Sequence, residues 1–201
     1  SLLILHMAKT ILMMYSGGLD SLGTLYYLLT DPEYKDYAVH VHHVHQHNVE
    51  RRAQAEAITV KIALDELRRL GFKFDYSESA ITTPNFGMNF MYDTDSINFF
   101  AGYVCSVNSN IELVALGMNA GDSNHSLEDR RRRANAILEA FTPVKKIYPV
   151  LNKTKREIYD SLPQSLKNKF WSCRTPIYEE QRIKPCGVCK TCCQLKAAGI
   201  R

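Results

Sequence analysis

A short apolar run, Thr10 to Tyr15, breaks into Ser16-Gly17-Gly18-Leu19-Asp20-Ser21, and the chain then continues from Leu19 to Leu29 as a helix that Asp31-Pro32 ends. A buried strand that turns through two glycines into a helix is the reading this pattern supports. Glycine pairs let a backbone turn sharply and approach a ligand without Cβ interference. The free N–H groups of a first helical turn point at an anion, and the helix dipole favours one. Ser16 and Ser21 add hydroxyl donors. Asp20 would repel phosphate unless a cation lay between them, which makes it a magnesium ligand in this reading. A tight strand–helix turn with a serine cap is the plain alternative for any glycine pair.

The rest of the chain repeats the strand–helix alternation. Further strands are expected over about Tyr37–Val44, Lys73–Ser77 and Glu112–Leu116. A long helix is expected from about Asn48, with Val60, Ala63, Leu64, Leu67 and Leu70 on one face and Gly71 at its end. Ile97, Phe100, Ala101 and Val104 mark another helix, and Ala134, Ile137, Leu138 and Phe141 a further one. The stretch Ile81 to Asp93 has no period and is expected to be a loop near the site. Alternation of this kind predicts an α/β fold, a doubly wound, mostly parallel sheet covered on both faces. Ligands in such sheets bind beyond the carboxyl ends of the strands. Residues 7–149 are expected to form this domain, and residues 150–201 a helical, cysteine-bearing region packed against it. Ser1 to His6 is read as a non-native remnant before a start at Met7.

Cys173 and the run Cys186-Gly187-Val188-Cys189-Lys190-Thr191-Cys192 place four thiols within a short span. Two-residue spacers let thiolates converge on one ion, and the earlier cysteine completes a tetrahedron. Zinc is the expected metal, with a structural role, because a closed set leaves no position for substrate. An iron–sulfur cluster competes, since C-x₂-C-x₂-C also begins a ferredoxin-type run, but the Cys-Pro that follows there is missing. Cys193, adjacent to Cys192, is left out of the set. Six cysteines in a chain expected to be cytoplasmic point to metal or catalysis rather than to disulfides.

The hexapeptide resembles the signature of the PP-loop ATP pyrophosphatases, Ser-Gly-Gly-x-Asp-Ser at this strand–helix junction. The resemblance implies ATP and Mg²⁺, attack at the α-phosphate, and release of pyrophosphate. It further implies that Val41, His42 and His43 at the end of the second strand, with Gly117 after the fourth, flank the adenosine. The phosphate loop and cysteine tail together resemble the 7-cyano-7-deazaguanine synthase family. His47 and Glu50 match its His-x-x-Glu, and Leu116-Gly117, Asp122 and Asp129-Arg130 match its loop after the fourth strand. Pro149 and Lys153 match a proline and lysine before its late helix. This family resemblance implies catalytic roles for Asp20, Ser21, Asp122 and Lys153, and a reaction of 7-carboxy-7-deazaguanine with ammonia. The family's Phe-Val-Pro-Gly-Arg-Asn is replaced here by Phe90-Met91-Tyr92-Asp93-Thr94-Asp95, which lacks the arginine. Arg130 or Arg133 is expected to substitute for it at the substrate, beside His47 and Asp129.

Other readings stand beside this one: a PP-loop tRNA thiolation enzyme, transfer of an activated deazaguanine to a macromolecular amine, or an ATP-binding sensor without turnover. A net charge of +4 suits small anions better than a nucleic-acid platform. No apolar run reaches the ~20 residues that span a bilayer, and a homodimer is the assembly considered. Arg130 to Arg133 lies near a helix start expected to be capped by Ser126, where positive charge opposes the dipole and an anion would offset it. Alternation along the second strand puts His40 and His42 on one face and His43, His45 and His47 on the other.

Overall fold

In the computed structural model, residues 9–83, 92–122, 128–180 and 182–200 are described. The remnant at 1–6, part of the loop expected over 81–93, Phe90-Met91 and the Ser126 cap all lie outside the described residues.

Five parallel strands form the sheet: β1 (Thr10–Met14), β2 (Ala38–His47), β3 (Asp75–Thr82), β4 (Ile111–Leu116) and β5 (Lys145–Ile147), in the order β3-β2-β1-β4-β5. The helices are α1 (Leu19–Thr30), α2 (Ala53–Arg69), α3 (Asp93–Val107), α4 (Glu128–Glu139), α5 (Lys155–Ser161) and α6 (Lys190–Ala197). Strand β1 is central and buried along its whole length, as a strand covered on both faces must be. Its side chains divide by parity. Ile11 and Met13 pack with Leu22, Leu25, Leu64, Leu67 and Ile158, from α1, α2 and α5. Leu12 and Met14 pack with Ala101, Val104 and Leu138, from α3 and α4. The architecture is the doubly wound α/β fold the alternation predicts. Chain order reverses between β1 and β4, and such a switch point opens a crevice beyond the strand ends.

Several boundaries differ from expectation. β2 runs on to His47, and α2 starts at Ala53 rather than near Asn48. Arg51 between them has φ 54°, a left-handed conformation that a helix cannot include. β3 extends to Thr82, so Ile81 and Thr82 belong to a strand and not to a loop. β5 carries no readable apolar run, because two of its three residues are lysines. The cysteine-bearing region is not wholly helical: β6 (Ile177–Glu179) and β7 (Arg182–Lys184) pair antiparallel within it. Its Leu166, Phe170 and Leu195 are buried in the same cluster as Ile11 and Leu22. No helix among the described residues is long and apolar enough to cross a membrane.

Candidate functional site

The hexapeptide occupies the junction from β1 to α1. Gly17 has φ 80°, and a Cβ there would lie 2.8 Å from Val60 Cγ2 of α2, so both its conformation and its surroundings call for glycine. Gly18 caps α1 without a side-chain bond, which leaves the first N–H groups to other acceptors. The Gly18 N–H donates to Ser16 Oγ at 3.3 Å, and the Leu19 N–H to Ser172 Oγ at 3.3 Å. Ser16 Oγ and Ser21 Oγ are 3.0 Å apart, and the Ser21 hydroxyl donates to Gly18 O. Hydroxyls therefore sit where an anion would bind. At the other side of the switch point, Gly117 follows β4. A Cβ there would lie 2.6 Å from Ser21 N and 2.7 Å from Ser21 Cα, so only glycine lets the end of β4 approach the start of α1 this closely.

Asp20 Oδ2 accepts from Lys155 Nζ at 2.7 Å and from Asn119 Nδ2 at 3.0 Å. The same Asn119 amide donates to Asp122 Oδ2 at 2.8 Å, so one side chain bridges the two carboxylates expected in the site. Asp20 Oδ1 is buried without a hydrogen-bond partner among the described residues. An anionic oxygen so placed is costly unless a cation or donor meets it, and that is the fit expected of a hard, oxygen-seeking ion such as Mg²⁺.

A cleft opens over Asp20 and Lys155, while Asn119 and Asp122 stand outside its lining. Its walls include His42, Val44 and Gln46 of β2, Ile97 of α3, and Trp171, Ser172, Arg174 and Thr191 from the cysteine-bearing region. His42 is buried, and its Nδ1 is 2.7 Å from Ser77 Oγ, which in turn is 2.6 Å from His40 Nε2. His42 Nε2 has no partner among the described residues. Burial, then the neighbouring His40 and His43, lowers its pKa to about 4, so the ring is neutral at pH 7. His43 faces the other way, with Nδ1 2.8 Å from Tyr15 O, and burial lowers it to about 4 as well, against the bond to Tyr15. Val41 is fully buried in the α1/α2 core. Of the three strand residues expected around adenosine, only His42 lines the cleft. His47 lies with His45, Arg51 and Tyr178 around a separate depression. Its ring stacks on His45, and His43 meets His45 edge-on, as the alternation predicts.

An ionic group, buried at Glu50, Arg52 and Glu56, reaches the cleft through Arg52, Glu56, Asp93 and Arg174. Arg52 contacts Glu50 at 2.8 Å, Glu56 at 2.9 Å and Asp93 at 2.6 Å, and Arg174 contacts Glu50 at 2.7 Å and Asp93 at 3.1 Å. Three carboxylates thus surround two guanidinium groups. Burial raises Glu56 to about 7 although Arg52 opposes it. Burial works against the Arg52 charge, but the three carboxylates outweigh it and shift that group upward. Asp93 is half-buried; desolvation would raise it, but Arg52 and Arg174 lower it.

The remaining expected residues lie elsewhere. Lys153 sits over the Tyr27 ring, 4.9 Å from its centroid, and does not line the cleft; the lysine that does is Lys155. The cause is local: Thr154 caps α5 through Glu157, so Lys153 precedes the helix while Lys155 is its first residue and turns toward Asp20. Asp129 is exposed and pairs with Arg132 at 3.1 Å. Arg133 is held by Asp95, and both Arg130 and Arg133 lie over the Tyr92 ring, at 4.0 and 4.9 Å from its centroid. Neither lines the cleft. The acids at 93 and 95 therefore anchor arginines. Lys155, Asn119, Arg52, Glu56, Ser172 and Arg174 were not singled out from sequence. Arg174 carried one signal, its place next to Cys173.

Cys173, Cys186, Cys189 and Cys192 bring their Sγ atoms within 4.8 Å of one another. A tetrahedral Zn–S bond of about 2.3 Å places sulfurs roughly 3.8 Å apart, so this spacing fits one four-coordinate ion after a small contraction. The N–H groups of Cys186 and Cys189 donate to Cys173 Sγ and Cys186 Sγ at 3.2 and 3.3 Å, bonds that favour thiolate. Gly187 has φ 76°, which turns the chain between two of the ligands. Cys193 is exposed and outside the set.

No protein-family profile matches the chain, and no curated protein matches it. Among solved structures, it is similar to the U34-tRNA thiolase NcsA from Methanococcus maripaludis, determined with its 4Fe–4S cluster, at a TM-score of 0.55 and 16% identity. The match covers 96% of this chain and 65% of the thiolase, so the chain spans just under two thirds of that protein's length. The likeness is one of fold, which in this chain is a parallel, doubly wound sheet.

Proposed function

We propose that this protein is an ATP-dependent adenylating enzyme of the PP-loop type, acting on a carboxylate and a nitrogen nucleophile as a 7-cyano-7-deazaguanine synthase does. The observation that carries the reading is Asp20: a carboxylate in the anion-binding turn, tied to Lys155 and, through Asn119, to Asp122, with one buried oxygen unpaired. ATP would lie in the cleft with its phosphates at Ser16, Gly17, Gly18, Leu19 and Ser21. Asp20 and Asp122 would hold Mg²⁺, which would screen the carboxylates from the phosphates. Lys155 stands on the same carboxylate and would take up charge on the departing pyrophosphate. His42 and Gly117 would flank the adenosine.

In this reading a substrate carboxylate oxygen attacks the α-phosphorus and pyrophosphate leaves. Ammonia then attacks the acyl carbon, and AMP and a proton leave, giving an amide. The amide oxygen attacks the α-phosphorus of a second ATP with release of pyrophosphate and a proton, and loss of AMP and a further proton gives the nitrile. The chain's own groups align the reactants, offset charge and exclude water. Zinc is the metal proposed for the four cysteines. It would hold the tail closed, and the close approach of the four sulfurs favours a single ion over a larger cluster. The soluble, cytoplasmic setting and the deazaguanine substrate rest on the family resemblance.

A tRNA thiolation enzyme is the second reading, favoured by the fold shared with the thiolase and by that protein's iron–sulfur cluster. One incubation separates the two. Mass spectrometry of products from ATP, ammonia and 7-carboxy-7-deazaguanine should show AMP, pyrophosphate and the nitrile, from colourless protein with about one zinc per cysteine set. Brown, iron-containing protein that leaves the acid untouched and thiolates tRNA would establish the second reading instead.

A further inference from the structure

The cysteine tail touches the phosphate loop directly. Trp171 donates its N–H to Gly17 O at 2.7 Å, and Ser172 Oγ accepts the Leu19 N–H at 3.3 Å, a contact across 153 positions of sequence. Both residues belong to the segment that enters the metal set at Cys173. The indole Nε1–H of Trp171 donates to Cys173 O at 2.9 Å. From the other arm of the set, Thr191 stands between two ligands, Cys189 and Cys192. Its hydroxyl donates to Ser172 O while lying 3.3 Å from Cys189 Sγ. A path of three short contacts therefore runs from a ligand sulfur, through Thr191 and Ser172, to the first N–H of α1. Trp171, Ser172 and Thr191 line the same cleft as Ser16, Asp20 and Ser21.

We propose that Ser172, clamped by Thr191 and Cys173, is a positioning residue of the phosphate site, so that metal in the cysteine set and nucleotide in the cleft bind with positive linkage. This rests on the nucleotide reading above. The physical ground is the state of the cysteines with and without an ion. A bound ion fixes Cys173 against residues 186–192. Without one, four sulfurs this close have weak S–H contacts as thiols and repel one another as thiolates. The wall at 171–173 is then tied to residues 186–192 by hydrogen bonds such as Thr191 to Ser172 O and Cys186 N–H to Cys173 Sγ, without the ion, and Ser172 Oγ, which accepts the Leu19 N–H, is held less firmly. Ser172 Oγ occupies the acceptor position at Leu19 N–H, and its hydroxyl can rotate to donate to a phosphate oxygen there. Because linkage is reciprocal, nucleotide must raise metal affinity by the factor by which metal raises nucleotide affinity.

Trp171 is the chain's one tryptophan, so its emission reports the wall itself. The experiment measures Mg·ATP affinity by Trp171 fluorescence on zinc-loaded wild type, Thr191→Val and Thr191→Ser. It also measures wild-type zinc affinity against a chromophoric chelator, with and without saturating Mg·ATP. Thr191→Val should keep its zinc and bind Mg·ATP roughly five- to tenfold more weakly, with Thr191→Ser restoring affinity, and Mg·ATP should raise zinc affinity by a factor of that order. Thr191→Val that holds zinc and binds Mg·ATP like wild type overturns the proposal. If Thr191→Val loses zinc, the wild-type competition decides, and zinc affinity indifferent to Mg·ATP overturns it. Wild type that binds no Mg·ATP would sink the nucleotide reading as well, whereas binding without linkage sinks only this inference.

Discussion

Lys155 Nζ lies 2.7 Å from Asp20 Oδ2, joining the first turn of α5 to the first turn of α1 across 135 positions. The pair is only partly exposed, at 13% and 20% of the two side chains. It gives the turn at residues 16–21 a cation that the hexapeptide itself lacks. Lys153, two residues earlier, rests on Tyr27 outside the cleft. Lys155→Ala should therefore reduce turnover by about 10²-fold, the typical effect of removing one donor to developing charge. Lys153→Ala should keep turnover and lose less than about 1 kcal/mol of stability, the scale of an exposed cation–π contact. Steady-state release of pyrophosphate checks both, and the reverse ranking would restore Lys153 to the site.

Arg174 and Arg52, paired with Glu50, Glu56 and Asp93, line the cleft, whereas Arg130 and Arg133, engaged with Tyr92 and Asp95, do not. An acidic substrate should then depend on Arg174. Arg174→Ala should raise the KM for the acid by one to two decades, the equivalent of a charge-assisted bond of about 1.5–3 kcal/mol. Arg130→Ala and Arg133→Ala should leave that KM unchanged. Sensitivity of the acid to Arg133 and not to Arg174 would show that the substrate lies beyond the cleft, toward Tyr92.

Gly117→Ala would drive a methyl group to within 2.6–2.7 Å of the Ser21 backbone. Backbone cannot swing aside as a flexible side chain does, so the start of α1 must shift. Overpacking of this kind costs about 1–3 kcal/mol, and here it displaces the N–H groups of the α1 start, which would meet the phosphates in the proposed function. Thermal unfolding should show a lowered Tm, and calorimetry should show Mg·ATP affinity falling more steeply than stability does. Wild-type affinity in the variant would mean that the phosphates do not use this helix start.

Two sets of buried groups give opposing pH dependence. His42 and His43 are lowered to about 4 in the folded chain, chiefly by burial, and return to about 6.5 on unfolding. Between those values the unfolded chain binds more protons, so the stability they contribute is complete above about pH 6.5 and is lost as pH falls toward 4. Glu56 is raised to about 7, chiefly by burial. The folded chain then holds the extra proton, and the contribution falls as pH rises from the ordinary carboxyl range through 7. Urea unfolding of wild type, His43→Asn and Glu56→Gln across this range separates them. His43→Asn should flatten the acid limb, and Glu56→Gln should remove the decline approaching neutrality. Parallel curves for all three proteins would contradict the assignment.

What the sequence determined by itself is local. The string from Ser16 to Ser21 fixes a strand–helix turn, because glycine at 17 and a serine-lined helix start have few other uses after a buried strand. The alternation of apolar periods fixes a doubly wound sheet, and cysteine spacing brings Cys186, Cys189 and Cys192 into reach of one ion. The parity of the histidines along β2 was legible for the same reason, since side chains alternate along a strand that carries no bulge, and β2 carries none opposite β3. What only the tertiary structure decided is which distant groups meet at the turn. Sequence matching placed the site lysine at 153, but the Thr154 cap sets the phase of α5 and gives Asp20 to Lys155. Arg130 and Arg133 were expected at the substrate, yet Tyr92 and Asp95 on α3 and its approach take them up. Arg174 and Ser172 lie more than 120 positions from Glu50 and Leu19, and no local pattern encodes a pairing at that range. The shared core beneath α1, α2 and α5 brings them together.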